Sequence, residues 1–120
     1  MPKTILVAED YADARTIMKI LIEGYGYAVV EAADGSEAVE KAKQHRPDLI
    51  LMDLAMPVMD GLTATSIISN LEGFDKTPII ALTAYSSSYF HKSLQAGCAD
   101  LIDKPLDYSK LEPLLRKYLE

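Results

Sequence analysis

Leu49-Ile50-Leu51-Met52-Asp53-Leu54-Ala55-Met56-Pro57-Val58-Met59-Asp60-Gly61 is the most instructive stretch of this chain. It opens with four apolar residues in a row and no polar alternation, the mark of a strand covered on both faces. Asp53 closes the run. A carboxylate at the end of a buried strand is costly unless something pairs with it. Pro57 and Asp60-Gly61 then turn the chain.

Similar short apolar runs occur at Ile5-Ala8, Ala28-Val30, Ile79-Leu82 and Leu101-Ile102. They too are expected to be strands buried on both faces. Segments with helical spacing lie between them. Ala14, Ile17, Met18, Leu21 and Tyr25 form one apolar stripe, Ala64, Ile67, Ile68 and Leu71 a second, and Leu111, Leu114, Leu115 and Tyr118 a third. Asp34 with Glu37 predicts a capped helix start. Pro47 predicts the end of that helix, and Gly97 a left-handed stop for a helix between Ser87 and Ala96. Asp107 predicts a cap for the last helix. Strand–helix units spaced about 20 to 30 residues apart suit right-handed crossovers, hence a parallel sheet with helices on both faces.

With 120 residues, and no linker or low-complexity tract, the chain is expected to form a single domain spanning 1–120. Its 12 Lys+Arg against 18 Asp+Glu leave a net charge of −6, which argues against direct nucleic-acid binding. No apolar stretch approaches a membrane span, and the N-terminal run is too short for a signal peptide. One Cys permits no internal disulfide, which fits a reducing, cytoplasmic setting. Cys98 is expected to be a buried packing residue. His91 is expected on an exposed helix face, and His45 near a helix C-terminus.

In doubly wound sheets ligands bind at the carboxyl ends of the strands. Glu9 and Asp10 follow the first run. Asp53 ends the third, Thr83 and Ala84 follow the fourth, and Lys104-Pro105 follows the fifth. Singly these residues are unremarkable: Asp10 could cap a helix near Ala12, Lys104 could be a surface lysine, and Thr83 a β-former. Together they place three carboxylates, a hydroxyl and an ammonium on one sheet edge. Clustered carboxylates repel unless a cation sits among them. Hard oxygens without His or Cys suit Mg²⁺ rather than zinc. A carboxylate beside Mg²⁺ can attack phosphorus to give an aspartyl phosphate, with Lys104 and Thr83 available to its oxygens. The chain has no G-x-x-x-x-G-K-[ST] and no G-x-G-x-x-G, so nucleotide binding has no support.

On these residues the chain resembles, end to end, a response-regulator receiver domain of the chemotaxis-regulator kind. The features that carry the resemblance are Glu9-Asp10, Met52 to Gly61, Thr83-Ala84 and Lys104-Pro105, in that order. The resemblance implies a flavodoxin-like (βα)5 sandwich with strand order 2-1-3-4-5. It implies that Asp53 is the phosphoacceptor and that Asp10 and the Ala55 carbonyl join it on Mg²⁺, with Glu9 acting through water. It implies that Thr83 and the Ala84 amide hold phosphoryl oxygens, that Lys104 pairs with their charge, and that a cis peptide precedes Pro105. It gives Pro57 and Gly61 backbone roles in the loop. The donor would be a histidine kinase or histidine phosphotransfer protein. A downstream protein would bind the face made by the fourth helix, fifth strand and fifth helix.

Two positions depart from the family pattern. Leu101 stands where many receivers have an aromatic that swings inward, so readout could pass to Tyr85, Tyr89 or Phe90. Ala55 and Tyr85 stand at the positions that tune water access, the first opening one side and the second able to cover the other. Two rival functions remain. A Mg²⁺-dependent phosphohydrolase with an aspartyl nucleophile would usually have a second Asp where this chain has Ala55. A phosphorylation-independent binding module would not need the complete set. A receiver is not an enzyme in its own right, although it assists its own phosphorylation and autodephosphorylation.

Overall fold

The computed structural model describes residues 2–120. Strands β1 (Thr4–Ala8), β2 (Ala28–Ala32), β3 (Leu49–Asp53), β4 (Ile79–Thr83) and β5 (Asp100–Asp103) alternate with helices α1 (Ala12–Gly24), α2 (Gly35–His45), α3 (Gly61–Ser69), α4 (Ser86–Ala96) and α5 (Leu111–Leu119). Every pairing is parallel, and the order across the sheet is β2-β1-β3-β4-β5. This is the expected doubly wound arrangement. The order reverses between β1 and β3, which opens a crevice at their carboxyl ends.

Register sets what lies in that crevice. Ala8 pairs with Met52, so Glu9 stands level with Asp53. Asp53 pairs with Leu82, one residue before Thr83. Thr83 pairs with Asp103, one residue before Lys104. Four strand ends therefore deliver their polar residues side by side.

The three inner strands explain the unbroken apolar runs. Successive side chains point to opposite faces, and both faces are covered. Leu6, Ile50, Met52 and Ala81 pack with Ala38, Ala42, Ala64 and Ile68 on one side. Ile5, Val7, Leu49, Leu51, Ile80 and Leu82 pack with Met18, Ile22, Leu111 and Leu115 on the other. Each fully buried aliphatic side chain contributes about 1.5–3 kcal/mol.

Burial on both faces does not extend to β2 and β5. Both are edge strands, and most of their residues are only half-buried. Glu31, Asp100 and Asp103 lie on these edges, where charge discourages pairing with another sheet. The α1 stripe is also rotated from the expected one. Ile22 is fully buried, while Ile17 is 44% exposed. At 100° per residue, Met18, Leu21, Ile22 and Tyr25 centre the face on the sheet, and Ile17 falls on its flank. In α3, Thr65 is buried in the same way and Ile67 is partly exposed.

Helix ends follow local chemistry. Asp34 Oδ1 accepts from Glu37 N at 2.8 Å, and Glu37 Oε1 accepts from Ala33 N at 3.2 Å. The α2 helix stops at Arg46, which takes the left-handed conformation (φ 47°) just before Pro47. Gly97 stops α4 with φ 116°, as expected. Asp60 caps α3 through Thr63 N at 2.8 Å. Asp107 caps a short 3-10 turn (Tyr108–Lys110) that leads into α5, rather than α5 itself. The Lys104–Pro105 peptide is cis.

Candidate functional site

The structure brings the predicted residues together. Glu9, Asp53 and Thr83 are buried, and Asp10 is exposed. One carboxylate oxygen from each of Glu9, Asp10 and Asp53 lies within 4.8 Å of the others. Lys104 Nζ donates to Asp53 Oδ2 and to Glu9 Oε1, both at 2.9 Å. Asp53 Oδ1 accepts from Ala55 N at 3.0 Å, and Glu9 Oε2 from Tyr11 N at 3.1 Å. Burial alone would lower the Lys104 pKa. The hydrogen bonds and charges of Asp53 and Glu9 outweigh it and hold the ammonium above the usual lysine value. Among the described residues, no buried side-chain polar atom lacks a partner.

Asp10 does not cap α1. The cap position is Tyr11, and no side chain bonds the first turn there. Its carboxylate is therefore left facing the crevice beside two others. A hard, oxygen-only set of this kind fits a hard divalent cation that takes one or two carboxylates and keeps its waters.

Thr83 Oγ1 accepts from Tyr85 N at 3.0 Å, so its own proton is free to donate to another oxygen. Ala55 and Ala84 are exposed beside it. A cavity of about 290 Å³ lies over Asp53, and Asp10, Ala55, Thr83, Ala84 and Lys104 are among its walls. Two tight backbone approaches hold the loop below. Gly61 N donates to Leu54 O at 3.1 Å, and Gly35 N donates to Met59 O at 3.0 Å. A Cβ on Gly61 would collide with Asp53 O, and one on Gly35 with Met59 O.

Tyr89, one of the aromatics singled out from the sequence for readout, lines the same cavity. Sequence reading missed two contributors. Tyr11 is also a wall of the cavity. Tyr11 directly follows the acidic pair and could have been found from that position. Arg15 Nη1 donates to Glu9 O at 2.8 Å, and its Nε donates to Glu31 Oε1 at 3.3 Å. Its target is a backbone carbonyl, which leaves no sequence signal.

A buried carboxylate, a paired ammonium, a free hydroxyl proton and an open cavity suit phosphoryl chemistry. The model for the response regulator receiver domain matches residues 5–116. The chain belongs to the response-regulator receiver-domain family. Receivers of this family act as phosphoacceptors in two-component signalling, and their partners are histidine kinases and downstream proteins. The receiver is 33% identical over 120 residues to the polar-differentiation response regulator DivK of Brucella anthropi, covering 99% of this chain and 98% of that one. It is 41% identical over 119 residues to hybrid signal transduction histidine kinase G of Dictyostelium discoideum, where it spans only 4% of the relative's length. The receiver domain of the Pseudomonas aeruginosa sensor histidine kinase PA1611, solved with a magnesium ion in its active-site cleft, superposes with a TM-score of 0.90. The two are 37% identical, with 98% of each chain covered. The Vibrio cholerae chemotaxis protein CheY4 gives a TM-score of 0.93 at 29% identity, over 99% of this chain and 100% of that one.

Proposed function

We propose that this receiver takes a phosphoryl group from a phosphohistidine onto Asp53 and thereby switches its affinity for a downstream protein. The observation that carries the reading is the convergence of Glu9, Asp10, Asp53, Thr83 and Lys104 on one open cavity. In the transfer an Asp53 carboxylate oxygen bonds to phosphorus as the P–N bond breaks, and the histidine leaves with the electron pair. Asp10, Asp53 and the Ala55 carbonyl, with Glu9 through water, would hold Mg²⁺, which neutralises charge on the phosphoryl oxygens. Thr83 donates its hydroxyl proton and Ala84 its amide to those oxygens. Lys104 turns from its carboxylate bridge to pair with them.

The first turn of α4 is tied to Thr83. Tyr85 N donates to Thr83 Oγ1 at 3.0 Å, and Tyr85 O accepts from Tyr89 N at 3.1 Å. Tyr89 packs against the same core as Leu101. When Thr83 moves toward the phosphoryl group, the turn moves with it, and Tyr89 takes the reporting part that Leu101 cannot. The output surface is then the face of α4, β5 and α5, where Phe90 and Leu94 are 57% and 46% exposed. Tyr118 Oη donates to Asp100 Oδ2 at 2.9 Å and fixes α5 to β5. Phosphorylation shifts a pre-existing equilibrium at this face, and hydrolysis resets it. Residues 1–120 act as one domain, and the lone thiol suits a cytoplasmic setting.

Intact mass after incubation with Mg²⁺ and acetyl phosphate tests the reading. A single phosphoryl adduct that is lost in Asp53→Asn is expected. No adduct, where a control receiver labels, would mean a receiver specific for its protein donor or the phosphorylation-independent module. Multiple turnover of small phosphate esters would favour the phosphohydrolase.

A further inference from the structure

The acidic pair at the end of β1 is anchored from inside α1, because no side chain caps that helix. Arg15 lies one turn in, its own N donating to Tyr11 O at 3.0 Å. Its side chain reaches back. Nη1 donates to Glu9 O at 2.8 Å, and Nε donates to Glu31 Oε1 at 3.3 Å. Glu31 belongs to β2 and pairs with Val7 on β1, two residues before Glu9. Lys19 Nζ lies 3.5 Å from Glu31 Oε2 and holds that carboxylate from its other side. A guanidinium is a rigid planar fork, so two occupied donors fix the whole group in place.

Glu9 N, for its part, donates to Ala32 O at 3.0 Å. The backbone of Glu9 is therefore held on both sides. Its carbonyl shares one planar peptide group with the amide of Asp10, so fixing Glu9 O also fixes the plane from which Asp10 starts. The Asp10 carboxylate is exposed and caps nothing, so its aim comes from that backbone. We infer that Arg15 is a positioning residue for the cation site: by clamping Glu9 O against Glu31 it holds Glu9 and Asp10 in place beside Asp53. The inference rests on that acidic cluster being the Mg²⁺ site. The charge of Arg15 acts in the opposite sense to its grip. A guanidinium this near the acidic pair repels a divalent cation, so loss of the charge alone would tighten binding. Loss of the grip loosens it.

Mg²⁺ binding is measured by titration calorimetry at fixed ionic strength in wild type, Arg15→Met, Arg15→Lys, Lys19→Met and Ile68→Val. Removing a group that orients metal ligands weakens the metal by about tenfold or more. Arg15→Met is expected to lose that much affinity. Arg15→Lys, which keeps the charge but not the fork, is expected to be weakened as well. Lys19→Met removes one positive charge without touching Glu9, and is expected to bind Mg²⁺ as tightly as wild type or tighter. Ile68→Val loosens the core beneath α3, and is expected to unfold in less urea at unchanged Mg²⁺ affinity. Wild-type or tighter affinity in either Arg15 variant overturns the clamp. An equal loss in Ile68→Val also overturns it, because the effect is then one of general stability. A wild type that binds no Mg²⁺ overturns the clamp together with the reading of the acidic cluster, whereas the first two failures leave that reading standing.

Discussion

Cys98 Sγ lies 4.0 Å from Thr65 Oγ1. Burial pushes its thiol up to about 11, against a smaller lowering by the Thr65 hydroxyl. Only the thiolate is nucleophilic, so the folded protein at pH 8 is expected to resist iodoacetamide and to react once urea unfolds it. Rapid labelling of the folded form would remove the packing role. Tyr85 belongs to the exposed rim of the cavity, and Tyr85→Ala is expected to shorten the phosphoryl half-life by uncovering Asp53. An unchanged half-life, followed by intact mass, ends the covering role. Gly35→Ala would force a methyl group into Met59 O, a backbone atom with little room to move. A cost of about 1–3 kcal/mol is expected in urea unfolding, and a neutral variant would show that the loop yields. The acidic residues were legible because each directly follows a buried apolar run. The Lys104 bridge to Glu9 was not. It depends on a side-chain direction across residues 95 apart in sequence, which no local pattern encodes.

In the proposed switch the element that follows the site is α4. Ser93 is its one buried residue, and no side chain caps its start. Its first turn is held through Tyr85 N on Thr83 Oγ1 and the packed Tyr89 ring, and its last turn through Ser69 Oγ, which donates to Ala96 O. In fluorotyrosine-labelled protein, the Tyr89 resonance, assigned by its loss in Tyr89→Phe, is expected to shift on phosphorylation. Thr83→Ala, still phosphorylated by mass, is expected to abolish the shift. A shift that survives in Thr83→Ala would break the proposed link. Element order and sheet topology were readable, because inner strands lack alternation and helices carry stripes. The helix faces were less so. The α1 sequence holds both Ile17 and Ile22, and it is Ile22 that joins Met18 and the sheet residues in the core, which depends on neighbours distant in sequence. For β5 the two apolar residues Leu101-Ile102 marked the strand but not its edge position, since burial depends on which neighbours arrive.

At the scale of the whole molecule, the acidic cluster exists only when the chain is folded. Glu9 and Asp10 come from the end of β1 and Asp53 from the end of β3, and in the unfolded chain they are far apart. A cation that binds the cluster therefore stabilises the native state by mass action, and the gain grows with concentration. With Mg²⁺ at about 100 times its dissociation constant the gain is about 2.7 kcal/mol. For a domain of this size that is a rise of roughly 10 °C in Tm. Asp10→Asn is expected to lose most of the rise. Without Mg²⁺ it should be no less stable than the parent, because Asp10 is exposed, caps nothing and only adds repulsion to its neighbours. Calorimetric scans at matched ionic strength, with Na⁺ replacing Mg²⁺ in the control, separate site binding from screening of the net −6 charge. Equal shifts in Mg²⁺ and Na⁺ would assign the whole effect to screening and leave the three carboxylates without a bound metal.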